Sequence, residues 1–154
     1  MNKKLIIISI IIITIVALIY SGAKGKENSQ ISSQSSTTPQ SVIPADKIEV
    51  IHFHATQQCW SCITVGEYAL KTIKEKFPEE YASGKIVYKD IDGELKENQE
   101  IVVKYQARGS SLFVNAIRDE QDNIEEDVTV WRLINSESQF ISYFENKLSS
   151  LLGK

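Results

Sequence analysis

The sequence predicts an α/β domain in which a mixed sheet carries helices on both faces, and three observations predict this class. From residue 47 onward, short segments rich in β-branched and aromatic residues alternate with segments of helical periodicity. Hydrophobic residues make up 42% of the chain and charged residues 24%, which is close to an ordinary globular protein. Residues 46–154 are long enough for one small hydrophobic core.

Four segments are predicted as strands. The first covers residues 47–55 (KIEVIHFHA) and is apolar enough for a central position in the sheet. Its alternation places four side chains on one face, Ile48, Val50, His52 and His54, and places Ile51 and Phe53 on the other. The remaining strands are predicted at residues 85–91, 111–118 and 124–130, the last of them acidic and expected at an edge.

Three segments show helical periodicity, at residues 59–77, 98–106 and 136–152. Pro78 is expected to stop or kink the first helix. Ser136 and Gln139 have the spacing of a capping box at the start of the last helix, and Gly153 is expected to end it. Three aromatic residues near this helix are expected in the core, namely Trp131, Tyr143 and Phe144.

The N-terminus has the pattern of a membrane address. Residues 1–4 form a short basic start, and residues 5–23 carry no charge and are dense in Ile and Leu. A transmembrane helix needs about 20 such residues, so we expect a single-pass anchor with Lys3 and Lys4 in the cytoplasm. The alternative is a signal sequence cleaved near residues 21–23 (SGA), which would make the protein secreted. Both alternatives export the domain that follows.

Residues 24–46 are mostly Ser, Thr, Gln and Pro and are expected to form a flexible linker ahead of the domain at residues 47–152. From Asp46 onward the chain holds 13 of the 17 basic and 19 of the 20 acidic residues, a net charge of −6. Because there is no basic stripe, nucleic acid is not an expected partner. We also expect the protein to be a monomer. The acids Glu125, Glu126 and Asp127 are expected to form a solvated edge.

The motif that carries chemistry is Cys59-Trp60-Ser61-Cys62, which holds the only two cysteines of the chain. It lies where a predicted strand runs into a predicted helix. The first turn of a helix has unpaired N–H groups and a partial positive charge, which stabilise a thiolate. We therefore expect Cys59 to be the exposed nucleophile and Cys62, one turn further and more buried, to resolve the mixed disulfide.

The order of elements around this motif resembles the thioredoxin superfamily over residues 47–152. The segments FHAT, EYALKTI, KIVYKDID, VVKYQ, SSL and VWRLINSESQFISYF resemble most closely the small thioredoxin-like family named nitrophenyl compound nitroreductase subunit ArsF. No flavin-binding feature is visible. The resemblance implies a thioredoxin-like three-layer sandwich, a redox-active disulfide between Cys59 and Cys62, protein thiols or disulfides as partners, and no cofactor.

The sequence departs from thioredoxins at two positions. Thioredoxins have a cis-proline before the third strand, where this chain has Ser111, which we expect to be trans because a non-proline cis bond is costly. Thioredoxins also bury an acid on the first strand beneath the dithiol, and the alignment places His52 there. This histidine either takes the proton of Cys62 or is simply packed in the core.

Three alternatives to a redox dithiol remain open. His52, His54, Cys59 and Cys62 could bind zinc or copper(I) in a metal-binding or metal-delivery module. The cysteines could form a permanent disulfide, although so short a loop adds little stability. The fold could also serve as a non-catalytic adaptor. Trp60 is expected either to form an apolar contact surface for partner proteins or to shield the disulfide.

Overall fold

The computed structural model describes residues 43–154. The predicted anchor at residues 5–23 and the predicted linker up to residue 42 lie outside these residues. Within the described part of the chain, no helix combines the length and the apolar character that crossing a bilayer requires. The elements in chain order are β1 (Lys47–His54), α1 (Trp60–Lys76), α2 (Pro78–Ala82), β2 (Ile86–Asp92), α3 (Gln99–Tyr105), β3 (Ser111–Ile117), β4 (Ile124–Glu126) and α4 (Glu137–Leu152).

The four strands form one mixed sheet in the order β2-β1-β3-β4. β1 is parallel to β2 and antiparallel to β3, and β3 is antiparallel to β4. The register places His52 opposite both Asp90 of β2 and Leu112 of β3. The mixed sheet with a central β1 and β4 at an edge confirms the prediction.

Helices cover both faces of the sheet, because β1 buries alternate side chains on opposite sides. Ile48 and Val50 belong to the larger core, which α1 and α4 cover with Val65, Ala69, Ile73, Phe140, Phe144 and Leu148. Ile51 and Phe53 belong to the smaller core, where they pack with Tyr105 and Phe113 and with residues of α3. The architecture is consistent with a thioredoxin-like α/β fold.

The edge strand is shorter than predicted because Asp127 turns inward. Its backbone N–H donates to the carbonyl oxygen of Leu112 at 2.7 Å, and its side chain is buried. There the carboxylate accepts hydrogen bonds from the Tyr143 hydroxyl at 3.0 Å and from Lys147 Nζ at 3.2 Å. The prediction of a solvated acidic edge is therefore right for Glu125 and Glu126 and wrong for Asp127.

The helix ends agree only in part with the predictions. Pro78 ends α1 and opens a separate helix, α2, of five residues. Ser136 precedes α4, but its hydroxyl makes no capping hydrogen bond, so the predicted capping box is wrong. Gly153 ends α4 with a φ of 72°, as predicted. Of the three aromatic residues assigned to the core, Phe144 is fully buried, and Trp131 and Tyr143 are partly buried.

The described residues before β1 are bound to the domain. The N–H of Ala45 donates to the carbonyl oxygen of Leu151 at 2.8 Å, and that of Asp46 donates to the carbonyl oxygen of Ile117 at 2.9 Å. Ala45 is buried in the larger core. The folded domain therefore includes residues ahead of Lys47.

Candidate functional site

The two cysteines lie at the junction between β1 and α1. Cys59 is the N-cap of α1, with an extended backbone (φ −83°, ψ 165°), and its carbonyl oxygen accepts the N–H of Ile63 at 3.2 Å. Cys62 follows in the first turn of the helix. β1 ends close to this junction, at His54. Cys62 lies on the apolar side of α1 and is therefore buried in the core.

The two sulfurs face each other as free thiols with different exposure. Their Sγ atoms are 3.1 Å apart. Cys59 is exposed, whereas Cys62 is 7% exposed. Each sulfur also has a hydroxyl partner: Ser61 Oγ lies 3.0 Å from Cys59 Sγ, and Cys62 Sγ donates to Ser110 Oγ at 3.2 Å.

These contacts make Cys59 acidic. Hydrogen bonds from the Ser61 hydroxyl, from the Cys62 thiol and from the backbone N–H groups of Cys62 and Ser61 lower the pKa of the Cys59 thiol from 9.0 to about 7. The backbone donors are available because the first N–H groups of a helix have no partner within it. About half of the Cys59 thiols are therefore ionised at neutral pH.

His52 lies in the core beneath α1. Its Nδ1 donates to Asp90 Oδ1 at 2.7 Å, and among residues 43–154 its Nε2 is the buried side-chain polar atom without a hydrogen-bond partner. A Cβ atom on Gly66 of α1 would lie 2.7 Å from Nδ1, so the helix backbone rests on the ring. Burial lowers the pKa of the imidazole, and Asp90 only partly offsets this effect. His52 is therefore packed and neutral at pH 7, with no hydrogen bond to Cys62.

His54 shares the same carboxylate. Its Nδ1 donates to the carbonyl oxygen of Ala55 at 2.9 Å, and its Nε2 lies 3.7 Å from Asp90 Oδ1. The rings of His52 and His54 have centroids 5.6 Å apart. Asp90 therefore stands between two imidazoles at the surface of β2.

The four predicted metal ligands do not form a metal site. Within residues 43–154, no three His, Cys, Asp or Glu side chains are arranged to hold an ion. The ring of His52 is held against Gly66 and bound to Asp90, and the two thiols contact each other and serine hydroxyls. The histidines thus contact β2, while the thiols contact the loop before β3.

The other two predicted modulators have different positions. Trp60 is 62% exposed beside Cys59, and Ile63 is exposed one turn further along α1. Ser111 is buried and donates to the carbonyl oxygen of Gly109 at 3.0 Å, and all peptide bonds of the described residues are trans, as expected for Ser111.

Ser110 is one of the site residues that the sequence did not indicate, together with Ser61 at Cys59 and Asp90 at the two histidines. Ser110 follows Gly109 and precedes β3, and its hydroxyl reaches Cys62. A groove of about 630 Å³ opens beside it and is also lined by Arg108 and Ser111. The sequence has two adjacent serines here, and nothing in their spacing indicates which of them faces the sulfur.

Comparison with known proteins finds a distant structural similarity. No family model and no curated protein matches the chain, so the resemblance to the ArsF family is not supported. A zinc-bound form of human ERp44 is 21% identical with a TM-score of 0.47, over 68% of this chain and 27% of that one. Human ERp44 form I is 19% identical with a TM-score of 0.47, over 80% of this chain and 30% of that one. The chain thus spans less than a third of the length of ERp44.

Proposed function

We propose that this protein is a thioredoxin-like thiol–disulfide oxidoreductase that exchanges disulfides with other proteins through Cys59 and Cys62. The observation that supports this function is the exposed Cys59 thiol at the start of α1, with a pKa of about 7 and its sulfur 3.1 Å from that of Cys62. A low thiol pKa, exposure and a neighbouring resolving thiol are what disulfide exchange requires.

The reaction proceeds in two exchanges. The Cys59 thiolate attacks one sulfur of a protein disulfide, a bond forms between Cys59 and that sulfur, and the other sulfur leaves as a thiolate that takes up a proton. Cys62 then loses its proton and attacks Cys59, which forms the Cys59–Cys62 disulfide and releases the second substrate thiolate. The substrate is reduced and the protein is oxidised. The reverse sequence oxidises a dithiol.

The exposed surface beside Cys59 fits a protein substrate. The indole of Trp60 and the side chain of Ile63 offer apolar area next to the reactive sulfur. Aromatic side chains are enriched where proteins contact each other. This favours the interpretation of Trp60 as a contact surface over that of a shield, since most of the ring is open to solvent.

The anchor and the location belong to the same proposal. Residues 5–23 hold the protein in the cell membrane, and the domain lies outside the cytoplasm, because an uncharged segment of this length follows Lys3 and Lys4. Fractionation tests this: the full chain should stay in the membrane pellet after a carbonate wash. A soluble mature form starting near Lys24 would show that the segment is a cleaved signal sequence.

Cysteine replacement tests the activity. Cys59→Ala should abolish reduction of insulin disulfides, because it removes the attacking sulfur. Cys62→Ala should retain the first attack and accumulate a mixed disulfide with the physiological partner, which non-reducing electrophoresis would detect. A folded protein that never forms a mixed disulfide would be a non-catalytic adaptor, and activity retained in Cys59→Ala would overturn the assigned roles.

A further inference from the structure

Each sulfur of the dithiol contacts the hydroxyl of a different serine. Ser61, within the motif, lies 3.0 Å from Cys59 Sγ, whereas Ser110, 48 residues after Cys62, accepts from Cys62 Sγ at 3.2 Å. Ser61 therefore acts on the sulfur that attacks the substrate, and Ser110 contacts the sulfur that resolves the mixed disulfide.

We propose that Ser110 is a catalytic residue of the second exchange, in which its hydroxyl stabilises the Cys62 thiolate as it forms. The inference rests on the proposed oxidoreductase function and adds a residue to it. A serine hydroxyl accepts a hydrogen bond from a thiol and, after rotating, donates one to a thiolate. A hydrogen bond to a charged acceptor is worth more than one to a neutral acceptor, so the contact strengthens as the proton leaves.

The Ser110 hydroxyl matters most while Cys59 is held in the mixed disulfide. In the free dithiol Cys62 Sγ has two hydrogen-bond partners among the described residues, Cys59 Sγ and Ser110 Oγ. Once Cys59 is bonded to a substrate sulfur, it has neither a proton nor a negative charge with which to hydrogen-bond the Cys62 thiol. His52 does not replace it, because neither ring nitrogen makes a hydrogen bond to Cys62: Nδ1 is bound to Asp90, and Nε2 has no hydrogen-bond partner among the described residues. Ser110 is then the side chain that remains in contact with the resolving sulfur.

The loop before β3 holds this hydroxyl in place and connects it to solvent. The side chain of Ser111 is bound back to the carbonyl oxygen of Gly109, which fixes the backbone on either side of Ser110. Ser110 also lines the open groove of about 630 Å³. Ser110 therefore lies between a buried sulfur and the open groove.

The proton and electron balance follows from this position. Cys62 releases its proton through the Ser110 hydroxyl to solvent, and its sulfur attacks Cys59 Sγ. The Cys62–Cys59 bond forms as the bond between Cys59 and the substrate sulfur breaks. The substrate sulfur leaves with the electron pair of that bond and takes up one proton from solvent, so the protein disulfide supplied as substrate is the oxidant throughout.

A stopped-flow experiment can measure the two exchanges separately with a disulfide that releases an absorbing thiolate at each step. Dithiobis-nitrobenzoate releases one absorbing thiolate when Cys59 attacks and a second when Cys62 resolves. With the reduced full chain, Ser110→Ala should leave the first release at its wild-type rate and slow the second about ten- to a hundredfold, as expected for losing one hydrogen bond to a charged group. Ser61→Ala should slow the first release instead.

Two nearly isosteric variants separate the hydroxyl from its packing. Ser110→Thr keeps the oxygen and should resolve the mixed disulfide close to the wild-type rate, whereas Ser110→Val should be as slow as Ser110→Ala. The pH midpoint of the second release should also move upward in Ser110→Val, which loosened packing alone would not cause. A wild-type second release in Ser110→Val would overturn the role of Ser110. Absence of the first release in the wild type would instead contradict the proposed oxidoreductase function.

Discussion

Cys59 owes its acidity to donors that only the start of a helix brings together. The Ser61 hydroxyl, the Cys62 thiol and the first backbone N–H groups of α1 stabilise its thiolate, and no cationic side chain takes part. The sequence attributed an acidic thiol at this position to the helix start, and the structure adds the hydroxyl of Ser61, which makes the largest contribution to the lowered pKa of Cys59.

The pH dependence of alkylation tests this account. With a pKa of about 7, the rate of Cys59 modification by iodoacetamide should rise with pH and reach half its maximum near pH 7, rather than near the ordinary value of 9.0. Cys59→Ala is the control, because any alkylation that remains in it comes from Cys62. In Ser61→Ala the midpoint should move upward, because the largest stabilising contact of the thiolate is lost. A midpoint near pH 9 in the wild type would contradict the mechanism.

At the scale of an element, α1 depends on Gly66. This glycine lies in the middle of a helix, where alanine is normally better by about 0.5–1 kcal/mol. A Cβ atom here, however, would lie 2.7 Å from His52 Nδ1 and 3.1 Å from the Tyr88 hydroxyl. The helix therefore reaches the sheet closely only because this position has no side chain.

Gly66→Ala should consequently destabilise the protein, by about 1–3 kcal/mol as is usual for overpacking. Urea unfolding would measure the loss. In a background of His52→Ala the closest contact disappears, so the same substitution should cost much less. An equal cost in both backgrounds would show that the histidine is not what excludes the methyl group.

The contact between the end of β4 and α4 depends on Asp127. Lys147 pairs with two carboxylates, Asp127 at 3.2 Å and Glu125 at 3.0 Å, but their side chains are 1% and 70% exposed. A buried carboxylate that also accepts from Tyr143 should matter far more than one in solvent.

These two acids form a matched pair for substitution. Asp127→Asn should lower the free energy of unfolding by about 1–3 kcal/mol, because buried donors lose their charged acceptor. Glu125→Gln should change it by about 0.5 kcal/mol or less. Chemical denaturation of both variants at neutral pH checks the comparison, and similar losses would mean that burial is not the deciding factor.

At the scale of the whole molecule, the segment before β1 closes the domain onto its C-terminal helix. Ala45 and Asp46 bond to α4 and β3, and the side chain of Arg118 donates to the carbonyl oxygen of Ile43 at 2.7 Å. A chain beginning at residue 43 should therefore be more stable than one beginning at residue 47, by about 1–3 kcal/mol for the lost hydrogen bonds. Thermal unfolding of the two chains would measure the difference, and equal melting temperatures would show that the segment adds nothing.

The sequence was sufficient where local pattern and element order carry the information. The alternation of Ile48, Val50, Ile51 and Phe53 predicted both faces of β1, since period-two burial depends on neighbours along the chain. The position of Cys59 at a strand-to-helix junction was equally local. The capping box at Ser136 failed because spacing identifies a possible hydrogen bond but not the rotamer that makes it.

What the sequence determined by itself is the order of strands and helices and the position of Cys59 at the head of α1, because both follow from the periodicity of neighbouring residues along the chain. The tertiary structure alone decided which distant side chains meet: Ser110 at the resolving sulfur, Asp90 at the two histidines and Asp127 beneath α4. These contacts join residues far apart in the chain, and their partners are selected by sheet register and packing, which leave no local signature.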